Sequence, residues 1–225
     1  MQIPRHTPHP RLPMLGESST GFVPLADADF VVPESEWMRL EYMDWKSGGD
    51  TNFAPIATMD GALDCRGFWS KEQEHPDKDA KFTSNADLCP TLRDYVAGTG
   101  VNFGRMRIIK LQPQDRETAL RSFHRDDNNR FNPDDQGWVV RSWLELTDNP
   151  DSYMLLMDTD AEGFPDPSTE IRVPLHRGAR FVVDTQRLWH VVVHNGNAPR
   201  YALITSFESG PDLQRWIDSQ LPARV

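Results

Sequence analysis

Seven short apolar runs crowd the second half of the chain and leave little room for anything but a β architecture. Residues 105–111, 138–146, 153–157, 170–175, 180–183, 188–194 and 201–207 are rich in Val, Ile, Leu and aromatics, and Gly, Pro, Asn and Asp clusters separate them. Strands this short, with turns at this spacing, describe a sandwich or barrel. Helices flank it. Pro90 can open a helix carrying Leu92, Tyr95 and Val96 before Gly98 and Gly100 stop it. The segment GPDLQRWIDSQL, residues 210–221, sets Leu213, Trp216 and Ile217 on one helical face behind Pro211.

A chain of 225 residues suits one larger β domain better than two small ones. Residues 1–35 read as an N-terminal arm whose Phe22, Val23, Phe30, Val31 and Val32 need burial. Residues 36–101 read as a mixed region shaping the substrate side, ordered near Trp37, Tyr42 and Trp45. The run KEQEHPDKDAK at 71–81 reads as an exposed loop. A net charge of −10 and a pI near 5.1 repel phosphate backbones and anionic lipid, so neither nucleic acid nor membrane is expected as a partner. Residues 1–16 carry Arg and Pro where a secretory signal needs an apolar run, which points to the cytoplasm. Cys65 and Cys89 are too few for a disulfide scaffold or a Cys-based zinc site and are read as reduced thiols.

Chemistry gathers around three histidines. In FHRDDNNR, a strand or strand end places His124 and Asp126 on one face, because side chains alternate. In LWHVVVHN, 66 residues on, His190 faces away from Val191 and Val193. Two histidines and a carboxylate on neighbouring strands form the facial triad that holds non-haem Fe(II) and leaves coordination positions open. The competing reading of HxD is a polar surface turn. Arg200 follows an Asn195-Gly196-Asn197 turn, a strong hairpin signal, so its guanidinium can reach back into the same pocket. There it suits the far carboxylate of a dicarboxylic co-substrate; the alternative is a surface ion pair. Asp127 can replace Asp126 only if the backbone departs from a strand. His194 lies four strand positions from His190, about 13 Å away, too far to share a metal, and reads as a partly exposed hairpin residue. Asp184 reads as a turn cap.

The segment GARFVVDTQRLWHVVVHNGNAPRYALITSF resembles the C-terminal core of the aspartyl/asparaginyl β-hydroxylase family of Fe(II)/2-oxoglutarate oxygenases, with Asp184, His190 and Arg200 in the family's places. RMRIIKLQPQDRETALRSFHRDDN is similar to its strand, Pro turn and first metal motif, and VVRSWLELTDNP to its next strand, so the resemblance spans about residues 102–207. It implies a mainly β double-stranded β-helix, a cupin-like jelly roll, with flanking helices. It also implies that His124, Asp126 and His190 bind Fe(II), that Arg200 holds 2-oxoglutarate, and that O2 completes the site. Arg141 resembles a family arginine that meets a substrate or co-substrate carboxylate; its alternative is a salt bridge to Glu145 or Asp148. Vertebrate aspartyl hydroxylases of the family have Gly where this chain has Asp126, so the full HxD is closer to bacterial proline and free amino-acid hydroxylases. The expected activity is hydroxylation of an unactivated C–H in a small amino-acid-like substrate or a peptide side chain, with 2-oxoglutarate converted to succinate and CO2. The rivals are a metal-binding cupin enzyme that does not use 2-oxoglutarate and a non-enzymatic small-molecule-binding jelly roll.

Overall fold

The apolar runs fold as antiparallel strands. The structure, a computed structural model, describes residues 21–44, 51–64, 75–132 and 137–221. Its strands are β1 (Phe22–Pro24), β2 (Met43–Asp44), β3 (Thr51–Thr58), β4 (Lys81–Phe82), β5 (Phe103–Leu111), β6 (Val139–Glu145), β7 (Asn149–Thr159), β8 (Pro165–Leu175), β9 (Arg180–Val183), β10 (Trp189–His194) and β11 (Arg200–Glu208). The helices are α1 (Glu34–Met38), α2 (Asn85–Leu88), α3 (Pro90–Gly98), α4 (Arg116–Leu120) and α5 (Pro211–Gln220).

The larger sheet runs β1-β9-β6-β11-β5-β3-β2, with β4 paired to β3, and the smaller runs β10-β7-β8. Two isolated bridges, Gln114 to His194 and His124 to His190, extend the smaller sheet along the other edge of β10. From β5 onward the chain therefore passes from the larger sheet to the bridging segment, back to β6, across to β7 and β8, back to β9, across to β10 and back to β11. That alternation is a jelly roll.

Side-chain alternation builds two cores on the larger sheet. In β11, Tyr201, Leu203 and Phe207 face α1, α3 and α5, where they meet Trp37, Leu92, Val96, Leu213, Trp216 and Ile217. Ala202 and Ile204 face inward, where Phe53, Ile109, Trp143 and Phe181 meet Met154, Leu156 and Val173 of the smaller sheet. Full burial of one such Leu or Phe contributes about 1.5–3 kcal/mol. α3 and α5 begin at Pro90 and Pro211, as expected.

Two expectations are corrected, and one strand was not foreseen. The described part of the arm is a sheet edge: β1 pairs with β9, burying Val23, and Val32 is also buried, yet Val31 stays 74% exposed. The charged loop is not wholly solvated, because Asp77 is 1% exposed. β3, unexpected from TNFAPIAT, lies between β2 and β5, with a register shift after Pro55. Cys89 is a free, buried thiol that donates to the Glu36 carbonyl at 3.0 Å. Trp45 and Cys65 lie outside the described residues. Among the described residues no helix is long and apolar enough to cross a membrane.

Candidate metal centre

His190 sits second in β10, opposite Leu156 of β7. On its other side the HxD segment makes one antiparallel rung: the His190 N–H donates to the His124 carbonyl at 2.8 Å, and the His124 N–H to the His190 carbonyl at 3.4 Å. This sets the imidazoles side by side, ring centroids 4.5 Å apart. Beyond His124 the chain leaves the strand. The Asp126 N–H donates to the Thr185 carbonyl at 2.9 Å, which turns the carboxylate toward the histidines. Asp126 thus joins the cluster two residues past the rung, at the strand end. The ligand atoms of His124, Asp126 and His190 all lie within 4.8 Å of one another.

The donor set suits a divalent first-row metal. The Nδ1–H of His124 donates to the Ser122 carbonyl at 2.7 Å and that of His190 to the Leu188 carbonyl at 3.2 Å. These bonds fix the tautomer in which Nε2 carries the lone pair. Asp126 Oδ2 accepts from Thr185 Oγ1 at 2.8 Å, from Arg141 Nε at 3.3 Å and from Asn128 Nδ2 at 3.3 Å. Its Oδ1, 3.7 Å from His124 Nε2, is left as the metal-facing oxygen.

Electrostatics agree with that role. Burial opposes ionisation of Asp126, but the His124 hydrogen bond and the charges of Arg141 and His190 outweigh it, holding the carboxyl well below the usual range. Burial, aided by neighbouring His124, pushes His190 down to about 4, so it is neutral at physiological pH. For His124, enclosure favours the neutral ring, yet Asp126 prevails and raises its pKa.

Behind the ligands lies a buried ionic layer. Arg141 is bonded to Asp126, to Asp77 at 2.9 Å, and to Ser206 and Asn128. Asp77 also accepts from the Arg105 N–H at 2.7 Å, from Arg105 Nε at 2.8 Å and from Ser206 Oγ at 2.8 Å. Burial would raise the Asp77 pKa, but Arg105 and Arg141 hold it far below the carboxylate range. The loop can lie this close because residue 104 is Gly, where a Cβ would collide with the Asp77 carbonyl.

Arg141 therefore pairs with neither Glu145 nor Asp148, and its Nε side is committed to Asp126. It does share the inner face with Trp143, whose ring lies 6.4 Å from that of His190. Arg200 is 1% exposed and grips the equally buried Glu145 through Nε at 2.8 Å and through Nη2. Its ion pair is thus internal, not the surface pair weighed from sequence. Asp127 is exposed. His194, expected to be partly exposed, is buried, with Ser152 Oγ at 2.8 Å and the Ala198 carbonyl at 2.7 Å on its two ring nitrogens. Asp184 Oδ1 accepts from the Arg187 N–H at 3.2 Å, a turn-capping bond. Sequence reasoning missed Asp77, Asn128, Thr185, Arg105 and Arg107. The two arginines left a signal: alternate positions of a strand whose other residues, Lys110 apart, are apolar or Gly, pointing the same way as Ile109.

A cavity of about 820 Å³ between α3 and α5 shares no residue with this cluster and offers no comparable donor set. No family model matches the chain, and no curated protein matches it. An oxidoreductase of the 2OG-Fe(II) oxygenase family from Burkholderia pseudomallei superposes with a TM-score of 0.50 at 12% identity, over 78% of this chain and 75% of its own. A prolyl-4-hydroxylase from Pseudomonas putida gives 0.44 at 14% identity over 86% and 95%. HygX from Streptomyces hygroscopicus, with nickel and 2-oxoglutarate bound, gives 0.46 at 12% identity over 86% and 85%. The likeness to the first agrees with the jelly roll traced above.

Proposed function

We propose that the protein is a non-haem Fe(II) dioxygenase that uses 2-oxoglutarate and O2 to hydroxylate an unactivated C–H of a small amino-acid-like substrate or a peptide side chain. One observation carries the reading: two imidazoles locked as Nε2 donors and one carboxylate with a single oxygen to offer converge at one end of a jelly-roll interior. The fold shared with the Burkholderia oxidoreductase supports it. When bound, Fe(II) supplies the oxygen-activating chemistry, with 2-oxoglutarate converted to succinate and CO2.

The chain's residues have distinct tasks in this reading. His124 and His190 would hold the metal through Nε2 and Asp126 through Oδ1, a three-residue set that would leave room on it for co-substrate and O2. Thr185 and Arg141 hold Asp126 Oδ2 in hydrogen bonds, so that Oδ1 would be the oxygen offered to the metal. Trp143, Phe181, Met154, Leu156 and Ile204 give the interior an apolar wall that excludes water. Arg200 is the anchor for the distal carboxylate of 2-oxoglutarate. Glu145 takes its Nε/Nη2 edge, and the Nη1/Nη2 edge is the second fork a carboxylate can use. Burial, against the pull of Arg200, raises the Glu145 pKa, which eases the approach of a second carboxylate.

The deciding experiment is titration of the anaerobic Fe(II) protein with 2-oxoglutarate, followed through the visible charge-transfer band. Succinate formation is then followed with pooled amino acids. A saturable band and substrate-stimulated succinate are expected. Metal binding without the band would favour a cupin enzyme that does not use 2-oxoglutarate, and no metal binding would leave a ligand-binding jelly roll.

A further inference from the structure

The geometry points to His194 as a positioning residue for Arg200, one that fixes the guanidinium through the turn between β10 and β11. The inference rests on the reading of Arg200 as the holder of the distal carboxylate of 2-oxoglutarate, and it adds a residue to that end of the site.

Arg200 needs such support because it stands at a corner of the larger sheet. It is the first residue of β11, and its ladder partner Leu111 is the last of β5. On its other side, pairing with β6 begins only at Ala202. What precedes it is the turn at 195–199, which crosses from the smaller sheet to the larger.

His194 is a firm post at the start of that turn. Its backbone is paired on both edges, with Ser152 of β7 and with Gln114. Its buried ring is bonded at both nitrogens, Nδ1 to Ser152 Oγ at 2.8 Å and Nε2 to the Ala198 carbonyl at 2.7 Å. A carbonyl only accepts, so the proton sits on Nε2, and Ser152 donates to the lone pair on Nδ1. This is the opposite tautomer to that of His124 and His190, whose Nδ1–H groups donate to carbonyls. Both nitrogens of His194 are thus spent on the framework. Burial, against the pull of the Ala198 bond, holds its pKa below the ordinary imidazole value and keeps the ring neutral.

Two neighbours make the link to Arg200 stiff. A Cβ at Gly196 would stand 2.6 Å from Cε1 of the ring, so the turn closes directly over the imidazole. Between Ala198 and Arg200 lies Pro199, whose locked φ leaves the chain little freedom between the carbonyl that His194 holds and the Cα of Arg200. A small shift of the guanidinium spoils the paired bonds on which a carboxylate clamp depends.

The test compares two oxo acids with the same metal-chelating head, 2-oxoglutarate and 2-oxopentanoate, in which a methyl replaces the distal carboxylate. Each is titrated into anaerobic Fe(II) protein and followed through the charge-transfer band, for wild type, H194A, H194Q and H194N. H194A should raise the 2-oxoglutarate half-saturation about tenfold, the scale of one lost hydrogen bond, with the 2-oxopentanoate and Fe(II) midpoints unchanged. H194Q sets an amide N–H near the place of the Nε2–H and should restore most of the preference for 2-oxoglutarate; H194N reaches only the Ser152 side and should not. An unchanged preference in H194A, or both oxo acids weakening alike, would overturn the assignment. If H194A does not fold, H194Q and H194N decide, and equal preferences in the two would overturn it as well. No band, or equal midpoints for the two acids in wild type, defeats the reading of Arg200 instead. Exchange of the Arg200 Nε–H with water, read by NMR on metal-free protein, then tests the link by itself: H194A should hasten it about tenfold, and an unchanged rate would reject it.

Discussion

Asp77 Oδ2 lies 2.9 Å from Arg141 Nη1, and the same guanidinium reaches Asp126, so a carboxylate from a charged loop stands two contacts from the carboxylate of the His124–Asp126–His190 cluster. Asp77→Asn should destabilise the fold by about 3–5 kcal/mol, because it leaves two buried arginines short of their counter-charge. The folded pKa of Asp77 is depressed, so its contribution is present above the ordinary carboxylate pKa of about 4 and is lost as pH falls below it. Denaturant unfolding from pH 7 to pH 3 should show a steeper acid loss in wild type than in the variant; equal slopes would remove Asp77 from the ionic layer.

Ala substitutions at His124, Asp126 or His190 should each abolish turnover and weaken Ni(II) binding severely in calorimetric titration. His194→Ala should keep the metal. It strips a partner from Ser152 and from the Ala198 carbonyl, so it should cost about 1–3 kcal/mol of stability instead. Metal lost from His194→Ala but retained in His190→Ala would reverse the roles.

Metal affinity should fall on acidification through His124, not His190. His190 is already neutral above about pH 4, whereas Asp126 holds the His124 pKa above its ordinary value of about 6.5. Binding then displaces about one proton as pH drops through the raised His124 pKa. Calorimetry of Ni(II) binding in buffers of different ionisation enthalpy counts that proton at pH 6; a count of zero would contradict the assignment.

Arg200→Lys should keep the charge and lose the fork, lowering 2-oxoglutarate affinity, and Arg200→Ala should lower it by about thirtyfold or more. Glu145→Gln gives the opposite sign. Removing the competing carboxylate should tighten 2-oxoglutarate by about tenfold while lowering the stability of the ligand-free protein. Weaker binding in Glu145→Gln would mean that Glu145 only shapes the guanidinium.

The jelly-roll strands were legible because Val, Ile and Leu mark strands buried on both faces, His190 because it interrupts such a run, and His124 because a carboxylate follows it two residues on. β3 was not, since Pro55 and Asn52 argue locally against a strand and only pairing with β5 on one side and β2 and β4 on the other overrides them. Asp126 was legible from its place two residues after His124, while the Thr185 carbonyl that receives its N–H was not. Asp77 was hidden for a different reason. Within KEQEHPDKDAK nothing distinguishes it, and its burial depends on two arginines and one glycine that follow 27 to 64 residues later.

The single rung between His124 and His190 closes a loop of 66 residues that contains all of β6, β7, β8 and β9. Closing so long a loop costs chain entropy before the contact repays it, and non-local contacts of this kind slow the folding of β topologies. Interactions absent from the folding transition state slow unfolding without slowing folding. A metal that binds only where the rung has closed would act as a latch fastened after assembly, lengthening the life of the loaded protein more than speeding its folding.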